Sequence, residues 1–156
     1  MTIVVRDADA ADEATLLGFL RDLQDAERAL CASRRPGHEV DRCCYDCLLK
    51  VGAHILLAED EGRAVGFIAG RLKVDDDALQ VAAWPLHGHV SDLFVLPEYR
   101  GHGVAQRLLQ AMVDQLRGEG AGRVRIGALS ANRAAITAYE RFGFEPFEVL
   151  LDMNLA

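Results

Sequence analysis

The sequence predicts a single mixed α/β domain, on three observations. Short β-branched runs alternate with stretches whose apolar residues recur at helical spacing, in the order βααββ and then β-α-β-α-β. A length of 156 residues fits one domain whose core needs no disulfide or metal staple. No internal repeat, low-complexity tract or Pro/Gly/Ser linker divides the chain.

Composition narrows the class further. With 51% hydrophobic and 26% charged residues, disorder and fibrous repeats are excluded. Seventeen Lys and Arg against 24 Asp and Glu give a net charge of −7. A dedicated nucleic-acid or anionic-membrane binder would show a basic surplus, so this balance suits a cationic partner better. The opening residues carry Arg6, Asp7 and Asp9 and no apolar segment of the signal-peptide kind, and no stretch is apolar enough to span a membrane. A cytoplasmic protein is expected. Cys43, Cys44 and Cys47 crowd together near Cys31 and His38. A zinc site pairs two ligand doublets, and no second doublet is present. These cysteines are therefore expected to pack in the core, no metal is expected, and a metal or redox role is the alternative.

The elements follow in order. Ile3–Arg6 reads as a first strand. Asp9, with Asp12 three residues on, caps a helix carrying Leu16, Phe19, Leu20 and Leu23 on one face and running to about Ala32. The breaker Arg34-Arg35-Pro36-Gly37 separates it from a second helix over about Glu39–Lys50. Ile55–Glu59 and Val65–Leu72 make a hairpin around Asp60-Glu61-Gly62-Arg63. After the acidic run Asp75–Asp77 comes a strand at His89–Val95. Ala105, Leu108, Leu109, Met112 and Leu116 mark the next helix, followed by a strand at Val124–Ala128, a helix at Asn132–Phe142 closed by Gly143, and a last strand at Phe147–Leu155.

The most informative stretch runs from Val90 to Ala105. A strand feeds a turn with two glycines, and the turn opens directly onto a helix. Unpaired N–H groups at a helix start, together with the positive dipole end, favour a phosphate. Gly101 and Gly103 permit unusual φ, Ala105 is small in the first turn, and Arg100 adds a positive charge at the rim. The dinucleotide fingerprint G-x-G-x-x-G fails because Gln106 stands at the third position, and the triphosphate-loop triplet G-K-[ST] is absent.

What remains is R-x-x-G-x-A, as Arg100–Ala105, behind a strand ending V-L-P-E-Y. Downstream, Asn132 to Phe144 reads N-x-x-A-x-x-x-Y-x-x-x-G-F. In these two segments the chain resembles the GCN5-related N-acetyltransferase (GNAT) family, clearly from about Ala64 to Leu155 and more loosely before. The resemblance implies an α/β fold with a mixed, mostly antiparallel central sheet flanked by helices, its fourth and fifth strands splayed. It implies a variable substrate-side part over about 1–52 and an acetyl-CoA-binding core over about 53–156. Acetyl-CoA would be the co-substrate. Its pyrophosphate would lie on Arg100, Gly101, His102, Gly103, Val104, Ala105 and Gln106, with the His102 side chain free to vary. Its pantetheine would insert beside Leu93, Phe94 and Val95, the backbone near Leu93 and Val95 supplying an N–H to the thioester oxygen.

Asn132 and Tyr139 share a helical face with Ala135. The resemblance turns that face to the cofactor, with Asn132 on pantetheine and Tyr139, a protonated phenol at neutral pH, beside the sulfur as general acid. Read without it, Asn132 is an N-cap and Tyr139 a core aromatic. Tyr99 precedes the phosphate loop and is the weaker donor candidate.

The general base has several candidates. Resemblance to diamine acetyltransferases places their glutamate base at Ser91, which cannot deprotonate an ammonium. Asp92 is adjacent, but on a regular strand it points to the opposite side. Glu98, His87, His89 and a water chain complete the set. On the substrate side Glu27, Asp41, Asp46 and Asp75–Asp77 could attract an amine, and Trp84 could wall its pocket. The expected activity is acetyl transfer from acetyl-CoA to a primary amine of a small molecule or peptide by direct attack; the alternative is a non-catalytic acyl-CoA sensor. No nucleic-acid or membrane partner is expected. A homodimer is possible, since family members often pair through C-terminal strands.

Overall fold

The computed structural model describes residues 1–74 and 86–155. In chain order these form β1 (Ile3–Asp7), α1 (Glu13–Leu30), α2 (Gly37–Lys50), β2 (His54–Asp60), β3 (Arg63–Val74), β4 (Leu86–Val95), α3 (Val104–Gly118), β5 (Val124–Ile126) and α4 (Arg133–Phe142). The strands lie side by side in sequence order. The first three pairings are antiparallel, and β5 runs parallel to β4. This is the α/β architecture expected, a mixed and mostly antiparallel sheet flanked by helices.

Local chemistry accounts for the boundaries. The Asp9 side chain accepts from the Ala11 N–H and the Asp12 carboxylate accepts from the Asp9 N–H, so the capping box forms at a short 3₁₀ turn leading into α1. Between β2 and β3, Glu61 and Gly62 both take positive φ, the two-residue turn that matches strand twist. At the end of α4 the left-handed Gly143 receives the chain, its N–H donating to the Tyr139 and Glu140 carbonyls.

Burial divides between the two faces of the sheet. On one, Leu108, Leu109, Met112 and Leu116 of α3 are fully buried against Leu56, Ile68, Val90 and Val95. On the other, Leu16, Phe19 and Leu20 of α1 and Tyr45 and Leu48 of α2 cover Leu57, Phe67 and Phe94. The Phe19 ring stacks on Phe67 and tilts against Phe94. The buried stripe of α2 is Asp41, Tyr45 and Leu48. Cys43 and Cys47 therefore fall on its exposed face, and only Cys44 packs against the core. Core packing of the paired Cys43 and Cys47 is thus not what forms.

A second departure concerns the C-terminus. The strand expected over Phe147–Leu155 is absent: residues 145–155 belong to no strand, and Phe147, Val149, Leu150, Leu151, Met153 and Leu155 are all exposed. A strand exists only through a partner's main chain, and none lies alongside it here. Asp75–Asp77 and Trp84 lie outside the described residues. No helix among the described residues is long and apolar enough to cross a membrane.

Arg6 of β1 ties the N-terminal elements together. Its guanidinium donates to both Asp12 oxygens at 2.7 and 2.8 Å and to Glu59 of β2 at 2.6 and 3.0 Å. These bonds pull the Asp12 carboxyl from 3.8 to about 2. A depressed carboxylate stabilises the fold fully above its unfolded pKa and loses that contribution as pH falls through the folded value. In acid denaturation series, the advantage of wild type over Asp12→Asn should therefore hold at neutral pH and vanish between 3.8 and about 2. A pH-independent difference would contradict the clasp.

Candidate functional site

A gap opens in the sheet halfway along β4. β5 pairs with β4 only over Gly88–Val90, opposite Val124–Ile126. From Ser91 to Val95, the edge of β4 turned away from β3 has no strand beside it among the described residues. The splay lies where the sequence places it. The Leu96 N–H donates to the Val65 carbonyl at 2.9 Å on the β3 side. Alternate residues share a side, so the main-chain groups of Leu93 and Val95 turn into the gap, whereas those of Phe94 turn toward β3. Phe94 itself is buried against Phe19.

The same point carries a bulge. Asp92 pairs with Ala69 and Val90 with Gly70, leaving Ser91 as an extra residue. The bulge shifts the alternation of the strand. Asp92 thus lies on the same face as Phe94 and Ala69, toward α1 and α2, while Val90 joins Val95 on the α3 face. The premise of a regular strand fails here, and with it the argument that turned Asp92 away from the site.

Beyond Val95 the chain makes a 3₁₀ turn at Pro97–Tyr99 and then the two-glycine loop. Gly101 and Gly103 have φ of 79 and 80°, values that strain any L side chain. A Cβ at either would touch nothing within 4 Å, so backbone conformation rather than crowding requires glycine. Gly103 caps α3 with no side-chain hydrogen bond, and no acidic residue stands in the first turn. The first helical bond runs from the Arg107 N–H to the Gly103 carbonyl, so the N–H groups of Val104, Ala105 and Gln106 precede the ladder. Val104 is buried and anchors the turn. Arg100 is not simply a charge at the rim. Its Nε donates to the Val95 carbonyl at 3.0 Å and its guanidinium lies over the Phe94 ring, fastening the loop to the end of β4. The His102 ring contacts the Arg100 carbonyl through Nδ1 at 3.0 Å.

Asn132 caps α4, its Oδ1 accepting from the Ala135 N–H at 3.1 Å. Tyr139 is half-buried two turns on, edge to face with Phe144. Burial, reinforced by the charge of Glu27, pushes its phenol up to about 12. Glu27 lies at the end of the α1 stripe that passes through Phe19 and Leu23. Arg34, from the α1–α2 connection, donates to it at 2.9 Å. The Glu27 carboxyl is raised by burial and by Asp92, against the pull of Arg34. The Asp92 carboxyl is raised by burial, with Ser91 and Arg34 opposing. The Cys44 thiol is raised by burial and then by Asp92. Glu27 is thus ion-paired with Arg34 and within electrostatic range of Asp92 and Tyr139, and Asp92 is within range of Cys44 and Arg34.

The other candidates fall elsewhere. Asp41 is buried under Arg21, which donates at 2.7 and 2.9 Å and clasps α1 to α2. Asp46 is exposed beside Arg42. Glu98 pairs with Arg63 on the outer surface. His87 is buried early in β4. His89 is held below its ordinary pKa by burial and by Lys73, His87, Arg71 and Arg125, surroundings that repel an ammonium. Arg34 was not among the candidates, and Cys44 was weighed only for core packing or a metal or redox role; the breaker at Arg34–Gly37 marks a turn but gives no sign of what it faces.

Residues 17–144 match the model of the acetyltransferase (GNAT) family. N-alpha-acetyltransferase 30 of Schizosaccharomyces pombe is 39% identical over 59 residues, 38% of this chain and 39% of that protein. The match thus covers well under half of that relative. A thialysine N-epsilon-acetyltransferase of Bos taurus is 24% identical over 149 residues, 90% of this chain and 83% of that one. Among solved structures, the aminoglycoside N-acetyltransferase AAC(6′)-Iy in complex with CoA superposes with a TM-score of 0.77 at 18% identity, over 98% of this chain and 94% of that one.

The shielded phenol of Tyr139 gives a direct spectroscopic check. The difference between ultraviolet titrations of wild type and Tyr139→Phe should show a phenol ionising near 12. Ionisation near the ordinary value of about 10 would mean that the ring is solvated.

Proposed function

The chain belongs to the acetyltransferase (GNAT) family, and we propose that it is an acetyl-CoA-dependent acetyltransferase that transfers the acetyl group to a primary amine of a small molecule or peptide, by direct attack in a ternary complex. The observation that carries this reading is the β4 edge left open from Ser91 to Val95 between the two-glycine loop and Tyr139. Two relatives named as N-acetyltransferases support nitrogen as the acceptor atom.

On this reading the N–H groups of Val104, Ala105 and Gln106, with the Arg100–Gly103 backbone, hold the pyrophosphate at the positive end of α3. The edge at Leu93 and Val95 pairs with pantetheine as a strand would, and Asn132 and Ala135 line its other side. Asp92 takes a proton from the acceptor's ammonium; its burial makes it a stronger base than an exposed aspartate. Glu27 adds negative charge toward the incoming cation. The freed amine attacks the thioester carbon, and main-chain N–H groups at Leu93 and Val95 stabilise the oxyanion. As the C–S bond breaks, Tyr139 gives its proton to the thiolate and recovers one from the attacking nitrogen. A phenol held up to about 12 stays protonated throughout the neutral range.

No metal takes part in this reading. The segment of about 1–52 faces the acceptor and about 53–156 holds acetyl-CoA. A cytoplasmic location and a homodimer belong to the same proposal, with no nucleic-acid or membrane partner.

An acceptor screen over polyamines, aminoglycosides, amino acids and peptides, read by thiol release, tests it. With the best acceptor, Tyr139→Phe should lower kcat by about a hundredfold or more, the usual worth of general acid catalysis, while acetyl-CoA binding is unchanged. Asp92→Asn should lose activity most at neutral pH and recover as pH rises toward the acceptor's own pKa. Acetyl-CoA binding with no thiol release for any amine would instead identify a sensor, and full activity of both variants would remove their assigned roles.

A further inference from the structure

The face of the sheet that carries Asp92 changes character along β3 and β4. On β3, Phe67, Ala69, Arg71 and Lys73 are alternate residues and share that face. Their partners on β4 are Phe94, Asp92, His89 and His87. The residues between them turn the other way. A Cβ on Gly70 or Gly88 would meet Met112 or Leu116 of α3, and Leu72 and Val90 pack in the core on that side. Phe67, Ala69 and Phe94 lie under α1 and α2. Beyond them the face passes from the acid of Asp92 to a run of basic side chains.

β5 widens the basic part. His89 stands between Arg71 on one side and Arg125 on the other, each its direct cross-strand partner. Arg123 lies two residues before Arg125, and the Phe147 ring lies over both guanidinium groups. Arg71, Lys73, Arg123 and Arg125 thus flank His89 and the buried His87, all four of them half-buried. Among the described residues, the charges that act on His89 come from Lys73, His87, Arg71 and Arg125 and are of one sign. Like charges on neighbouring strands destabilise a sheet, and an anion laid across them relieves that cost. A net charge of −7 gives no hint of this patch, because the pairing of three separate strands assembles it.

We propose that this patch holds an anionic group of the acceptor, a carboxylate or a phosphate, while the acceptor's amine meets Asp92. The inference rests on the amine acetylation proposed above and names the class of amine: one that carries negative charge at a set distance from its nitrogen. The strand gives that distance. Arg71 and Lys73 lie two and four residues from Ala69, the partner of Asp92. At about 3.3 Å per residue, the anion sits roughly 7 to 13 Å from the carboxylate that receives the ammonium. Acid at one end and cations at the other orient such an acceptor. They also disfavour a diamine, whose second ammonium falls on Arg71 and Lys73. A peptide amino terminus followed by acidic side chains and a small amine bearing a carboxylate or phosphate share this chemistry.

Amino carboxylates and aminoalkyl phosphates of increasing chain length, set against alkylamines and diamines of the same lengths, test the assignment on the full chain. Peptides that differ only in acidic or amide side chains behind the amino terminus distinguish a peptide acceptor from a small one. Turnover is read by thiol release from acetyl-CoA, and binding by titration of each amine into the chain loaded with CoA. The best anionic amines should exceed the matched alkylamines by roughly tenfold to a hundredfold in binding and in kcat/KM, the worth of one hydrogen bond to a charged group. Diamines should fall below both. Arg71→Gln with Lys73→Gln should erase the ratio, and Arg71→Lys should keep most of it. Diamines that match the anionic amines, or a ratio that survives the double substitution, would overturn the anion site. If the double variant does not fold, salt decides in wild type: the ratio should shrink as ionic strength rises, and a salt-independent ratio would overturn the site. Anion-dependent binding without thiol release from any amine would refute acetyl transfer and uphold the anion site. Release from amines with no preference for an anion would do the reverse.

Discussion

A strand edge without a partner governs the site. β5 ends at Ile126, and the bulge at Ser91 falls where its pairing with β4 stops. The main-chain groups of Leu93 and Val95 must then bond to something other than a fifth strand, because an amide shielded from water without a partner costs about as much as a lost hydrogen bond. Everything else in the site is placed relative to that edge. Arg100 fastens the two-glycine loop to its lower end, and Tyr139 of α4 packs against the core on the α3 face. The bulge also leaves Asp92 on the face of Phe94 and Ala69, toward α1 and α2.

The charge state of Glu27 and Asp92 follows from burial more than from composition. The chain is acidic overall at −7, but most of its carboxylates are at the surface or held in ion pairs such as Arg21 with Asp41 and Arg63 with Glu98. Glu27 and Asp92 differ because burial raises both, and the charge of Asp92 raises Glu27 further. Arg34 is the cation that offsets them. The Tyr139 phenol, pushed up by burial and by the charge of Glu27, stays neutral beside them.

Local signals proved legible in the sequence. Gly101 and Gly103 announced a turn with positive φ, Asn132 announced a cap and Gly143 a left-handed stop, each of them a backbone requirement written in one residue type. The α3 stripe from Leu108 to Leu116 gave its buried face by spacing alone. What stayed hidden depends on contacts between distant segments. A bulge is a mismatch between two strands, so no property of Ser91 by itself reveals it. Likewise, nothing in the breaker at Arg34 shows that it reaches Glu27 and Asp92. Alternation over Phe147–Leu155 suggested a strand that does not form, because a strand also needs a partner's main chain and none among the described residues lies beside it. Cys43 and Cys47 misled because the stripe through Asp41, Tyr45 and Leu48 rotates α2 so that they face solvent.

The central claim is that the open β4 edge and the first turn of α3 together hold acetyl-CoA. Titrating acetyl-CoA into the ¹⁵N-labelled chain and following its amide resonances tests this most directly. The account predicts the largest shifts at Leu93, Val95 and Gly103 to Gln106, saturating together. Saturable shifts confined to another part of the molecule, or none at all, would contradict it.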